Sequence, residues 1–231
     1  MYSEYELSSC LSMKIDSMAE KPSIASLRRW RKPKQARSLA RVNRILDVAE
    51  AIFIEQGYAA ATTKEIAAKA QVPIGSLYQF FPDKAAILQA LAERYTDLLD
   101  QYLQGFNTVE MLQLPLAEYV KRLIEGIDAF FTEYSGYRAT FLEITTSMPE
   151  IDEAGDNVLI QTFESILPKL NDALSAEDIE AIAFVLVKAI GHLQWISSGQ
   201  PLEFRRRLVA ETQRLALNYL ESYSARSRDT G

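Results

Sequence analysis

Ser76, Tyr78 and Gln79 stand within the stretch VPIGSLYQFF, and all three carry side chains that can form hydrogen bonds with nucleic acid. A Gln amide can bind adenine through two hydrogen bonds, and Ser or Tyr can reach base edges or phosphates. Pro73 and Pro82 confine any helix that presents them to barely two turns, which is marginal in water by itself. Other elements of the chain must therefore hold this helix in place.

The short helix has an apolar side and a polar side. Ile74, Leu77 and Phe81 recur at helical spacing on one face, and Leu77 and Phe81 can anchor the helix on its neighbours. The opposite side presents Gly75, Ser76, Tyr78 and Gln79. A helix that reads DNA needs this division, because its back must be fixed while its front enters a major groove about 12 Å wide. The alternative is an ordinary short surface helix with one side in the core.

The flanking segments predict a helix-turn-helix arrangement. Apolar residues at helical spacing predict an amphipathic helix over 38–56, which Gly57 ends as a left-handed cap. Thr62 and Glu65 have the spacing of a capping box, so a second helix begins directly after Thr62. Asp83 is a good N-cap for a helix that follows the short one. Helix, tight turn and short helix together predict a DNA-binding unit.

Charge is divided unevenly along the chain. Residues 21–44 contain nine Lys or Arg and no acid, and residues 92–231 carry a net charge of −10. Such asymmetry indicates that one part meets a polyanion and the other does not. The basic arm RRWRKPKQAR either lies along phosphates or in the minor groove, or is a flexible tail that adds non-specific attraction. Arg37 and Arg41 are candidate DNA contacts.

Composition excludes several other classes of site and protein. The chain has 231 residues, 48% of them hydrophobic, and no uncharged apolar run of 18 residues. We therefore expect no transmembrane span and no signal peptide. A cytoplasmic location follows as an expectation. Cys10 is the only cysteine and His192 the only histidine, so no cysteine-based or multi-histidine metal site is expected, and no cofactor. The sequence offers little for an enzyme.

Residues 44–91 resemble the N-terminal domain of the tetracycline-repressor (TetR) family of bacterial regulators. The features that carry the resemblance are Ile45-Leu46, Phe53, Gly57-Tyr58, Thr63, Ile66-Ala67, Val72, Leu77-Tyr78, Phe81 and Lys84. Two positions depart from the family pattern. Gln71 stands where the family usually has Gly, so the turn lacks the easiest left-handed residue, and Pro73 replaces the usual Ser, which could cap by side chain.

The resemblance implies a homodimer whose recognition helices enter successive major grooves of a near-palindromic operator. It also implies the DNA contacts: Thr63 and Lys84 to phosphate, Tyr78 to phosphate or a thymine methyl, and Gly75, Ser76 and Gln79 to bases. Ile74 either contacts a thymine methyl or packs.

The rest of the chain also reads as helical, so the fold class is all-α with about nine helices. We place a disordered basic arm at 1–37, a three-helix DNA-binding domain at 38–84 and a helical effector-binding and dimerisation domain at 85–225. Beyond residue 100 the resemblance is architectural only. The later helices are predicted at about 115–134, 137–147, 156–172, 176–198 and 202–223, with breaks near Pro149, Gly155, Ser175 and Pro201.

The last two helices carry apolar stripes that predict a dimer interface. One stripe contains Ile182, Val185, Leu186, Ala189 and Leu193, and the last helix offers Leu208, Thr212, Leu215 and Tyr219. A helix that is apolar on several faces must be covered on several faces, and a partner subunit can do so. The alternative is a helix buried within one subunit.

Aromatic residues concentrate in the second domain, which holds 15 of the 23 in the chain. Pockets are lined by apolar and aromatic side chains with a few polar groups. The candidate ligand-binding residues are Tyr137, Phe141, Phe163, Phe184, His192 and Trp195, and plain core packing is the alternative for each. We expect a ligand-responsive repressor released by a small apolar or aromatic effector; the alternatives are a non-specific DNA-binding protein and, least favoured, a helical enzyme.

Overall fold

The computed structural model describes residues 30–229, except for the side chains of Ala139, Ser147 and residues 224–229. Cys10 and residues 1–29 of the predicted arm lie outside the described residues. Within them the chain is all helical, as predicted. The helices are α1 Ala36–Gln56, α2 Thr63–Lys69, α3 Ile74–Phe80, α4 Lys84–Gln104, α5 Val109–Leu112, α6 Leu116–Glu133, α7 Ser135–Ser147, α8 Pro149–Leu170, α9 Ala176–Val185, α10 His192–Ser198 and α11 Leu202–Asp229. A π-helical turn, Leu186–Gly191, joins α9 to α10, and the single turn α5 was not predicted.

Local capping sets the starts of α2 and α4 as predicted, whereas the left-handed cap predicted at Gly57 is wrong. Thr62 Oγ1 accepts a hydrogen bond from the Glu65 amide at 3.2 Å and begins α2. Asp83 Oδ1 accepts one from the Ala86 amide at 2.8 Å and begins α4. Gly57 ends α1 with a positive φ of 82°, but its ψ of 157° lies outside the left-handed helical region. Only glycine adopts this combination of φ and ψ easily, so the position requires glycine more strictly than a left-handed cap does.

Two apolar cores divide the molecule, and α4 belongs to both. The first core joins α1, α2, α3 and the end of α7 to residues 86–92 of α4. The second joins Leu99 and Leu103 of α4 to the helices that follow. The predicted boundary after residue 84 assigns all of α4 to the second domain, whereas the two cores share it. Helix α4 thus contributes side chains to both cores.

Helix α8 begins earlier than the range 156–172 predicted from spacing. It starts at Pro149, and Gly155 lies inside it rather than at a break. Proline at the first helical position has a suitable φ, and the carboxylates of Glu150 and Asp152 in the first turn favour the positive end of the helix dipole. The predicted start at 156 and the predicted break near Gly155 are therefore wrong.

The π turn breaks the apolar stripe predicted for α9 and α10. One extra residue in a helical turn rotates every later side chain by about 100° around the axis. Ile190, Gln194 and Ser197 consequently face the interior. Ala189 and Leu193, predicted on one stripe with buried Ile182, are exposed instead.

Residues 176–198 form a helix long and apolar enough to cross a membrane. One such helix among residues 30–229 is weak support for a span, because core helices of soluble proteins pass the same test. This helix packs against α6, α8 and α11.

Candidate functional site

The recognition helix α3 is two-sided in the way the sequence predicts. Leu77 and the following Phe81 are fully buried against α1, α2 and α4. Gly75, Tyr78 and Gln79 are exposed on the other side, and Ser76 is half-buried. A helix fixed by its back and free on its front can enter a groove, but the contacts of these residues with DNA remain predictions.

Ile74 does not join the buried side of α3. It is the first residue of the helix, and its side chain is 39% exposed. Ile74 shares the helical spacing of Leu77 and Phe81, but only those two side chains are buried. The exposed position leaves Ile74 available for an apolar contact.

The turn before α3 is held without a glycine. Gln71 has a φ of 56° and is the one non-glycine residue with positive φ among residues 30–229. Pro73 precedes the helix without a side-chain cap, although its carbonyl accepts hydrogen bonds from the amides of Ser76 and Leu77. The two departures from the family pattern thus leave the turn intact at the cost of backbone strain at Gln71.

Two of the predicted DNA-contact residues touch each other. The hydroxyls of Thr63 and Tyr78 lie 3.0 Å apart and form a hydrogen bond, which joins the start of α2 to the exposed side of α3. Both hydroxyls sit where the backbone amides at the start of α2 point outward, and such a position favours anions.

Lys84 has a structural role that its sequence position did not indicate. Its Nζ donates hydrogen bonds to the carbonyls of Tyr58, Ala59 and Ala61 at 2.6, 3.1 and 2.9 Å. The ammonium also lies 4.3 Å from the centre of the Tyr58 ring. All three N–H donors are in use, so Lys84 closes the loop between α1 and α2. Its predicted phosphate contact remains a prediction.

The basic arm is anchored to the DNA-binding domain at Trp30. The indole stacks on Phe81 with ring centres 5.7 Å apart, and its Nε1–H donates to Glu93 Oε2 at 2.9 Å. The Arg31 amide donates to the Phe80 carbonyl. The prediction of disorder up to residue 37 is therefore wrong for this part. A tryptophan within an otherwise basic, polar stretch was the signal for it.

Arg37 and Arg41 lie on the first turns of α1, following the anchored arm. Arg37 is exposed and Arg41 is half-buried. Neither side chain forms an ion pair within the described part of the chain, so both positive charges are available to a polyanion.

A first internal space, here called the aromatic cleft, lies between α4, α7 and α8 and has a cavity volume of about 30 Å³. Tyr95, Tyr137 and Phe141 form much of its wall, and Asp152 and Asp156 reach it from α8. Burial, with the nearby charges of Asp156 and Asp152, raises the pKa of Tyr137. Burial and the charge of Asp156 also raise the pKa of Asp152, against a smaller lowering by Lys188 and His192. The cleft therefore combines aromatic rings with partly desolvated acids.

A second space, here called the apolar cavity, lies within the C-terminal core and has a cavity volume of about 50 Å³. Phe163 lines it together with Phe131 and the π turn, through Leu186, Val187, Ile190 and Gly191. Leu159 lines both the cavity and the aromatic cleft. The two spaces are thus adjacent at Leu159.

The six predicted ligand-binding residues are divided among four places. Tyr137 and Phe141 line the aromatic cleft, and Phe163 lines the apolar cavity. Trp195 and His192 pack on Phe141 from the side of α10, with ring centres 5.0 and 5.9 Å away. Phe184 is 52% exposed on α9 and lines neither space. Sequence spacing missed Tyr95 and Asp152, because neither belongs to a stripe that marks a pocket.

Both halves of the chain match known families. Residues 45–91 match bacterial regulatory proteins of the tetR family. Residues 115–220 match the tetracyclin repressor-like, C-terminal domain. The two matches cover the recognition helix and both internal spaces except for their α4 walls.

Similar proteins are regulators of transcription. The HTH-type transcriptional repressor KstR of Rhodococcus jostii is 30% identical over 149 residues, which cover 63% of this chain and 67% of KstR. The HTH-type transcriptional regulator QacR of Staphylococcus aureus is 26% identical over 191 residues, which cover 77% of this chain and 97% of QacR. The structure of SmeT, the repressor of the Stenotrophomonas maltophilia multidrug efflux pump SmeDEF, matches with a TM-score of 0.61 at 24% identity over 77% of this chain and 89% of SmeT. SmeT has also been solved as a complex with triclosan.

Proposed function

Because this chain belongs to the tetracycline-repressor (TetR) family of transcriptional regulators, we propose that it represses its target genes by binding a near-palindromic operator as a homodimer in the cytoplasm. A small apolar or aromatic effector releases it. The matched domains and relatives are regulators, not enzymes. The observation that carries the proposal is the two-sided α3, which is buried through Leu77 and polar on its exposed face.

The exposed face of α3 supports sequence-specific contact. Gly75 allows the groove wall to approach, and Ser76 and Gln79 face the bases, where a Gln amide can pair with adenine. The bonded hydroxyls of Thr63 and Tyr78 face the phosphates. Arg37 and Arg41 add charge attraction, so affinity falls with salt by about 0.9 log unit per log unit of salt for each phosphate neutralised.

Exposed apolar side chains on the last helices support a dimer through α9, α10 and α11. Seven large apolar residues there are at least 39% exposed: Phe184, Val185, Leu193, Ile196, Leu202, Phe204 and Leu215. Exposure of so many on adjoining helices is typical of an interface, because a monomer leaves few contiguous apolar patches to water. Two recognition helices then reach half-sites about 34–36 Å apart.

Helix α4 supports communication between effector and DNA. Its Ala92, Tyr95 and Thr96 line the aromatic cleft, and the Tyr95 hydroxyl donates to Glu50 on α1. Arg94 pairs with the same Glu50 and, at 2.6 Å, with Asp47. An effector that binds better when α4 is tilted shifts the population towards wrongly spaced recognition helices.

Footprinting on the DNA upstream of the chain's own gene tests the proposal. We expect protection of a near-palindrome by the wild type, and about tenfold or greater weakening by Gln79→Ala, since an adenine contact is worth about 1–3 kcal/mol. Gln101→Ala, an exposed glutamine on α4, is the matched control and should bind as the wild type does. Equal affinity for the upstream DNA and for random duplex would favour the alternative, a non-specific DNA-binding protein.

A further inference from the structure

The exposed face of the recognition helix carries a large aliphatic side chain. Ile74 is 39% exposed, and it lies four residues before Tyr78, which is 47% exposed. Residues four apart in a helix lie on the same face, about 6 Å apart along the axis. Ile74 therefore shares the face on which Tyr78 and Gln79 are exposed, and this is the face that the proposed function turns towards the bases.

Packing within the described part of the chain does not account for Ile74. The helix is fixed by Leu77 and the following Phe81, which are both fully buried. Ile74 belongs to neither of the two apolar cores. A single exposed isoleucine is ordinary on a protein surface, but this one occupies the face that enters the groove.

The neighbouring glycine indicates how closely DNA approaches this point. Gly75 has no positive φ, and a Cβ atom added there would have no atom within 4 Å. Neither the backbone nor the packing of the described residues therefore requires glycine, which weakens a helix relative to alanine. Its missing side chain admits a groove wall instead. The same close approach brings the short side chain of Ile74 against the base edges.

The chemistry of isoleucine restricts what it can recognise there. Its side chain has neither a donor nor an acceptor, so a polar base edge pressed against it would lose its hydrogen bonds with water. The apolar group that base pairs present in the major groove is the C5-methyl of thymine. Isoleucine is also stiff at χ1, so it loses little side-chain freedom when it makes the contact.

We propose that Ile74 is a specificity-determining residue, which selects thymine at one position of each operator half-site by packing on the C5-methyl group. The proposal rests on the proposed function, since it needs a recognition helix in the major groove. It adds a position that is read without a hydrogen bond to the polar contacts expected of Ser76 and Gln79.

Replacement of thymine by deoxyuridine tests the assignment, because it removes the methyl group and leaves every hydrogen-bonding group in place. The probe is the duplex that the full chain selects from a random-sequence library, with its thymines replaced one symmetric pair at a time. At one pair we expect the affinity of the wild type to fall about 15-fold, or about fourfold for each half-site. Fourfold corresponds to about 0.8 kcal/mol, the value of one buried methylene group.

Three variants show whether Ile74 is the residue that responds. Ile74→Ala should bind the selected duplex more weakly and lose the response to deoxyuridine at that pair, because the contact is already absent. Ile74→Val keeps a β-branched apolar side chain and should keep the response. Ile54→Ala is the matched control, since Ile54 is 51% exposed on α1, and it should respond as the wild type does. Urea denaturation should give Ile74→Ala nearly the stability of the wild type.

Two results would overturn the assignment alone. One is a response to deoxyuridine that is as large in Ile74→Ala as in the wild type, or absent from both. The other is a loss of stability in Ile74→Ala with unchanged affinity for the selected duplex, which would make Ile74 a packing residue. Enrichment of no sequence from the library would instead contradict the proposed function, and this assignment with it.

Discussion

The DNA-binding domain and the C-terminal domain differ in how far their polar side chains are hydrogen-bonded. In the first, Thr62 and Asp83 cap helices, and Lys84 satisfies three carbonyls of one loop. In the second lie all the buried side-chain polar atoms that have no hydrogen-bond partner among the described residues. They are Tyr119 Oη, both amide atoms of Gln194, Trp195 Nε1 and Ser197 Oγ.

This difference indicates which domain is complete by itself. A buried polar group without a partner costs about 1–3 kcal/mol, so the C-terminal domain carries unfavourable groups that the DNA-binding domain avoids. Both internal spaces and the exposed apolar helices also belong to the C-terminal side of the molecule. The DNA-binding domain is thus joined to a C-terminal domain that has the internal spaces and exposed apolar helices on which the proposed effector site and dimer interface rest.

Breaking the dimer should have the largest effect. Leu193→Glu places a charge on the exposed apolar face of α9 and α10. We expect a monomer by analytical ultracentrifugation and about 100-fold or greater loss of operator affinity, because a single recognition helix loses the gain from linked half-sites. Leu142→Glu is the control, since Leu142 is 58% exposed but lies on α7. An unchanged dimer in Leu193→Glu would contradict the proposed interface.

Removing the Lys84 ammonium should strongly destabilise the DNA-binding domain. Lys84→Met leaves three carbonyls without a donor, so we expect the free energy of unfolding to fall by about 2–3 kcal/mol. Urea denaturation of a Trp195→Phe background measures this, because Trp30 then reports on the first core alone. Lys64→Met removes an exposed charge from α2 and should have little effect. Equal losses in the two variants would show that Lys84 has no special structural role.

Removing a buried polar group of the C-terminal domain should raise the free energy of unfolding rather than lower it. Gln194→Met keeps the size of a fully buried side chain and removes its unpaired amide. We expect the free energy of unfolding to rise by about 1–2 kcal/mol, whereas Thr62→Ala, which removes a paired cap, should lower it by about 1 kcal/mol. Thermal unfolding measures both changes. A lower stability of Gln194→Met would contradict the difference between the two domains.

Strain in the turn before α3 is the exception within the DNA-binding domain. Gln71→Gly relieves the positive φ of 56° at an exposed site and should raise the free energy of unfolding by about 1 kcal/mol. Gln71→Ala retains a Cβ atom and should give no such gain. If both variants had equal stability in denaturant titrations, the turn would not be strained.

The smallest effect concerns pH and Asp152. Its folded-state pKa is raised, so the wild type loses stability as pH rises through that pKa and the half-buried carboxylate becomes charged. Asp152→Asn should therefore be more stable at neutral pH, by a few tenths of a kcal/mol because solvent screens the group. The difference should disappear on acidification below the ordinary Asp pKa, where both states are protonated. A difference that grows towards low pH would reverse the sign and contradict the raised pKa.

Much of the DNA-binding domain was predictable because its sequence signals are local. The caps at Thr62 and Asp83 act on amides three residues away, and the spacing of Leu77 and Phe81 identifies the buried side of α3. The walls of the internal spaces were predicted less well. Tyr137, Phe141 and Phe163 line internal spaces, but Phe184 does not, since helical spacing alone cannot distinguish a wall of a cavity from an outer face.

The sequence by itself determined the all-helical class, the helix-turn-helix and its polar face, because capping and periodicity depend on residues within a few positions of one another. The tertiary structure decided what each remaining group meets. Trp30 bonds Glu93 across 63 positions, and Lys84 reaches Tyr58 across 26. The π turn likewise sets which residues of α10 face inward. Such contacts depend on how whole helices pack, and the packing free energy is a property of the assembled core rather than of any one segment.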